Sequence, residues 1–118
     1  MVDCWFTYPP FDEHDFLARV LGRAPELIPA ELRDYQLVKH TAYTHVLPSE
    51  GATVTGSLLP YQMGDEWMWE AEMGVSQGYY RRLQLPVEAQ GMTVQAWVLV
   101  AGPSLAWAVQ GQEDTTCT

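Results

Sequence analysis

Two carboxylates, Glu70 and Glu72, stand beside three bulky apolar side chains, Trp67, Met68 and Trp69. Burial next to apolar groups disfavours the charged form of a carboxylate and raises its pKa until it is protonated or paired. This environment produces a general acid/base able to work near neutral pH. A break containing Gly74 and Gly78 follows, and then Tyr79, Tyr80, Arg81 and Arg82 open a strand. Arg81 and Arg82 alternate across that strand, so one is expected to pair with a carboxylate while the other faces water.

Other chemistries have little support. His14, His40 and His45 have no metal-binding spacing and no adjacent nucleophile. His14 is expected on the surface, in the first turn of a helix. Cys4 and Cys117 form no CxxC pair and are read as reduced thiols, the usual state in a cytoplasm. A net charge of -9 with six basic residues speaks against a nucleic-acid partner, which requires Lys and Arg to displace counterions. No apolar run approaches the ~18 residues of a membrane span, and no basic region followed by an apolar run marks a signal peptide. The chain is therefore expected to be cytoplasmic and without membrane contact.

The elements that must position these groups follow from local pattern. At 118 residues the chain is long enough for one core. Residues 2–8 read as a first strand ended by Pro9-Pro10. A helix follows, with Asp12 as N-cap, Phe11 and Phe16 as a hydrophobic staple, and Phe16, Leu17, Val20 and Leu21 as its apolar stripe. Gly22 ends it. Residues 31–38 and 42–47 are candidate strands, and Ser49-Glu50-Gly51 reads as a turn. Residues 52–59 form a clearer strand, where Gly56 marks a bulge or a close backbone approach. Asp65 is placed to cap a short helix that Gly74 ends. Leu83, Leu85 and Val87 alternate down the next strand. Residues 92–100 form the strongest strand, apolar on both faces from Ala96. The segment after Gly102 reads as a short helix or another strand. The sum is an α+β domain over residues 1–109. It is a small mixed, curled sheet or barrel of about five to seven strands with two or three short helices, followed by a polar tail at 110–118.

Taken in order, these segments resemble the gamma-glutamylcyclotransferase-like proteins, a superfamily of small barrels. Trp5-Phe6-Thr7-Tyr8 matches the family's first strand, and Leu21-Gly22-Arg23 matches the stretch after its helix. Ala30, Leu32 and Tyr35 follow at the family spacing, as do Val54, Gly56 and Leu58. Trp69-Glu70 resembles the aromatic–acid pair. Tyr80, Arg82, Leu85 and Val87 match the next strand, and residues 96–100 match the last.

The resemblance implies an intramolecular aminolysis: the α-amino group of a γ-glutamyl compound attacks its own γ-carbonyl, releasing 5-oxoproline and an amine. It implies Glu70 as the acid/base, with Glu72 second. Tyr8, Pro9, Pro10 and Phe11 would line the glutamyl pocket, and Tyr80 and Arg82 would support the acid. No metal or organic cofactor is implied. The expected partner is a small-molecule substrate or ligand, and the expected assembly is a monomer or weak homodimer. One departure bears on chemistry: Pro9-Pro10 replace the family's Gly-Ser/Thr, and proline has no backbone N–H to offer a substrate. The alternatives are a non-catalytic small-molecule-binding protein on the same barrel and an acidic interaction protein with a vestigial pocket.

Overall fold

The computed structural model describes residues 4–9, 11–23, 25–39, 44–65 and 78–103. In chain order these carry β1 (Cys4–Thr7), α1 (His14–Leu21), β2 (Ile28–Lys39), β3 (Thr44–Pro60), β4 (Tyr80–Ala89) and β5 (Met92–Ala101). The strands close into a barrel in the order β1-β3-β2-β4-β5. Every pairing is antiparallel except that of β1 with β5. The mixed α+β barrel is as expected. Among the described residues it has five strands and one helix, where five to seven and two or three were expected.

The sheet alternates between two cores. Phe6, Leu32, Val46, Val54, Leu58, Val87, Ala96 and Val98 fill the barrel interior. Trp5, Leu59, Tyr80 and Leu99 turn outward and pack under Leu17, Val20 and Leu21 of α1. Because consecutive strand residues face opposite sides, the unbroken apolar run of β5 serves both cores, with Val98 inward and Leu99 outward.

The helix ends as its sequence requires. Gly22 adopts φ 72° and its N–H donates to the Ala18 carbonyl at 2.9 Å. Its start differs: Glu13, not Asp12, is the N-cap, and it makes no side-chain capping bond. The reason is a turn just before it, in which the Phe11 N–H donates to the Tyr8 carbonyl at 2.7 Å. That turn delays the helix by one residue. The Phe11 and Phe16 rings still meet, with centroids 5.7 Å apart.

The turn expected at Ser49-Glu50-Gly51 is not a turn. β3 runs unbroken from Thr44 to Pro60, and these residues form a wide irregularity opposite Asp34, between the pairs Arg33↔Thr53 and Tyr35↔Pro48. Asp34 (φ 64°) and Gly51 (φ 84°) take left-handed backbone there, and Asp34 Oδ1 accepts the Gly51 N–H at 3.0 Å. Turn-forming residues satisfy a bulge by the same local chemistry. β2 also begins earlier than expected, at Ile28.

The barrel closes through a narrow seam, the single pair Glu31↔Glu88 between β2 and β4. Pro29 and Pro86, each two residues from that pair, have no N–H to extend the ladder. Arg33 Nε lies 2.7 Å from Glu88 Oε2, which offsets the like charges facing each other across the seam.

Candidate functional site

Register places one end of the barrel at the finish of β1 and β5 and the start of β4. Tyr80 pairs with Ala101, and parallel pairing sets Phe6 beside Val98. Tyr8 emerges at this end, 2% exposed, and its hydroxyl donates to the Leu99 carbonyl at 2.6 Å. Burial, with the neighbouring Tyr80 as a second cause, raises the Tyr8 pKa well above its ordinary value of 10.0. At neutral pH the group is a neutral, oriented donor.

Phe11 links the elements. Its ring meets Tyr8 edge-on at 5.6 Å and Tyr80 edge-on at 6.2 Å, and it packs against both cores. Such arrangements place the positive ring edge on the neighbour's negative face. Tyr80 is itself fixed, its hydroxyl donating to the Thr44 carbonyl at 2.5 Å. Tyr8, Phe11 and Tyr80, three of the residues read as pocket-lining or acid-supporting, are therefore brought together by β1, the following loop and β4.

Arg82 lies on the outer side of β4 with its guanidinium 4.4 Å above the Trp97 ring, a cation–π arrangement. Arg81 takes the other face. It shares the inward register of Leu83, Leu85 and Val87, pairs with the buried Val100, and is exposed at the rim. The alternation was readable in the sequence, but which arginine faces inward depends on the β4–β5 register.

Glu70, Glu72 and Pro10 lie outside the described residues, as do Trp67, Trp69, His40, Cys117 and the tail. The points where the chain leaves for residues 66–77 and returns are both fixed. Asp65, 4% exposed, accepts from Arg23 Nη2 at 2.5 Å and from the Gln62 N–H at 2.8 Å. Arg23 Nη2 also reaches the Pro60 carbonyl at 3.0 Å. The helix that Asp65 was expected to cap lies beyond the described residues, but this ion pair had no signal in local sequence. At the return, the Gly102 N–H donates to the Tyr79 carbonyl at 2.9 Å, and a Cβ on Gly102 would strike the Gly78 carbonyl.

Two open cavities lie elsewhere. One of about 620 Å³ sits at the β2–β4 seam and the β4–β5 hairpin, at the far end of the barrel from Tyr8. The other, about 500 Å³, lies against Phe11, Phe16 and Arg19 on the helix side. His14 is exposed, as expected, whereas His45 is buried on β3. Among the described residues no group of three or more His, Cys, Asp or Glu is placed to hold a metal ion, and no helix is long and apolar enough to cross a membrane.

Comparison with known proteins agrees with the barrel. Residues 10–116 match the family described as gamma-glutamyl cyclotransferase, AIG2-like, and the chain belongs to that family. A solved structure named gamma-glutamyl cyclotransferase superposes with a TM-score of 0.73 at 15% identity, covering 84% of this chain. The chain spans 66% of that protein's length. Two solution structures of Arabidopsis thaliana proteins are also similar. One has a TM-score of 0.70 at 18% identity, covering 97% of this chain and 77% of that one. The other has 0.67 at 22%, covering 96% and 85%. At these identities the likeness is one of fold. No curated protein matches the sequence.

Proposed function

We propose that this chain is a γ-glutamyl-amine cyclotransferase acting on a small metabolite, within a domain of residues 1–109. The reading is supported chiefly by the meeting of Tyr8, Phe11 and Tyr80 at the rim, in a chain of this family. The strand carrying Tyr80 is the one that returns from the segment bearing Glu70 and Glu72.

The substrate's α-amino nitrogen attacks the γ-carbonyl carbon and forms the lactam C–N bond. The tetrahedral centre then collapses with loss of the original amide nitrogen. Ring closure is unimolecular, so the protein's main task is to hold one conformer, which suits a rim of rigid aromatic rings. Glu70 takes a proton from the attacking nitrogen and returns it to the leaving nitrogen, so one carboxylate serves both transfers and no water is consumed. Glu72 is the second candidate. Tyr8, Pro9, Pro10 and Phe11 shape the glutamyl pocket. Tyr80 and Arg82, held on β4 by Thr44 and Trp97, are assigned the support of the acid.

The test is 5-oxoproline release from a panel of γ-glutamyl amines and peptides by the unaltered protein, Glu70→Gln and Glu72→Gln. One Gln variant, still folded, is expected to lose about 10²- to 10⁴-fold in kcat. Absence of turnover on every panel member by the unaltered protein refutes the proposal.

A further inference from the structure

We infer that Arg81 binds the α-carboxylate of the γ-glutamyl substrate, so that selectivity for a free α-carboxylate resides on β4 and not in the loop after β1. The inference rests on the cyclotransferase reading and adds to it the group that recognises the substrate's charge.

Backbone donors in the loop are the first consideration. Pro9 and Pro10 have no N–H, and the Phe11 N–H is already donated to the Tyr8 carbonyl at 2.7 Å. Residues 9–11 therefore present no free backbone donor to an anion. The Tyr8 hydroxyl is likewise committed, to the Leu99 carbonyl. An anion at this rim is therefore not held by the backbone of this loop.

The arginines are the second. Four of the five are engaged within the fold: Arg19 over the Phe16 ring, Arg23 with Asp65, Arg33 with Glu88 and Arg82 over Trp97. Among the described residues no carboxylate or aromatic ring pairs with Arg81. It stands at the inward register of β4, opposite Val100, whose side chain shares the interior core with Tyr8. A chain of net charge -9 repels an anionic substrate in general, so an uncommitted guanidinium at the rim supplies the local attraction. Guanidinium geometry also matches a carboxylate through two parallel N–H···O bonds. Arg82, one residue away, faces the outer core and is occupied by Trp97, so it does not substitute.

The experiment compares a γ-glutamyl amine with the same compound bearing an α-carboxamide, on the unaltered protein, Arg81→Ala, Arg81→Lys and Arg82→Ala. The unaltered protein is expected to favour the carboxylate. Arg81→Ala is expected to raise KM for the carboxylate about 10- to 100-fold, the loss typical of a charge-assisted hydrogen bond, with kcat changed less. Its KM for the carboxamide should scarcely move, and Arg81→Lys should recover part of the loss. Binding of 5-oxoproline, measured by calorimetry, should weaken in parallel. Turnover by the unaltered protein with Arg81→Ala kinetically unchanged, or with both substrates weakened equally, overturns the inference and leaves the cyclotransferase reading intact. Failure of the unaltered protein both to turn over the panel and to bind 5-oxoproline overturns both.

Discussion

Gly56 offers the most direct test of how the rim is built. The β1–β3 register runs from Cys4↔Pro60 to Thr7↔Ser57, so Gly56 is the next residue of β3, at the level where β1 gives way to Tyr8. A Cβ there would lie 2.9 Å from Phe6 Cζ and closer still to the Thr7 carbonyl oxygen. The phenyl ring can swing away. The carbonyl belongs to the backbone at the end of β1 and can retreat only if the two strands part. Overpacking of this kind costs about 1–3 kcal/mol, and a backbone obstacle puts Gly56→Ala near the upper end, ~3 kcal/mol. For a domain of this size that is a fall in Tm on the order of 12–20 °C. Urea unfolding followed by tryptophan fluorescence should show a lowered midpoint with an unchanged m-value. Gly51→Ala is the control: φ is 84° but nothing lies within 4 Å, so only backbone strain of about 1 kcal/mol applies. Because the strands part beneath Tyr8, Gly56→Ala should also raise KM for a γ-glutamyl substrate, while Gly51→Ala should not. A Gly56→Ala protein within ~0.5 kcal/mol of the original would refute the steric reasoning.

Two further predictions concern the groups that hold the site. Asp65→Asn removes the charge facing Arg23, whose side chain is 22% exposed. The expected loss is about 2–3 kcal/mol, less than for a fully buried pair because water screens the guanidinium left behind. A urea midpoint equal to that of the unaltered protein would mean that the pair contributes nothing. Tyr8→Phe leaves the Leu99 carbonyl without its donor and should cost about 1–2 kcal/mol at neutral pH. The pH dependence has a definite sign, since the folded-state pKa of Tyr8 is raised. Above pH ~10 the unfolded chain releases this proton while the folded chain retains it, so stability falls as pH rises. Unfolding midpoints measured from about pH 8 to 11 should show a shallower alkaline decline in Tyr8→Phe than in the original protein.

What the sequence made legible were features decided within a few residues. The stop at Gly22 and the alternation of Leu83, Leu85 and Val87 are of this kind, as is the doubly buried run from Ala96. Gly56 was legible for a steric reason, because a glycine inside a strand needs a neighbour too close for a side chain. The misreadings were decided at a distance. Ser49, Glu50 and Gly51 have the composition of a hairpin turn, and only Asp34 across the sheet, accepting the Gly51 N–H, makes them a bulge. The helix start was displaced by the Tyr8–Phe11 turn. In the candidate site, alternation placed Arg81 and Arg82 on opposite faces, but the register against Val100 and Leu99 decided which one looks inward.

The Pro9-Pro10 substitution then has a physical sense within the fold. Pro9 at the second position of a turn presets its backbone angle, and the Phe11 N–H closes that turn on Tyr8. That turn delivers Phe11 to a position between Tyr8 and Tyr80 where it touches both cores. A loop closed on its own last donor can define shape but cannot hold an anion. The proposed recognition of a carboxylate then falls to a neighbouring element, and β4 is suited to that because its two arginines are divided by the sheet. Arg82 is spent on Trp97 outside, and Arg81 is left at the rim. The proposed division of labour, shape from the β1 loop and charge from Arg81, rests on these two features, a turn whose last N–H is spent and a guanidinium exposed at the inward register of β4.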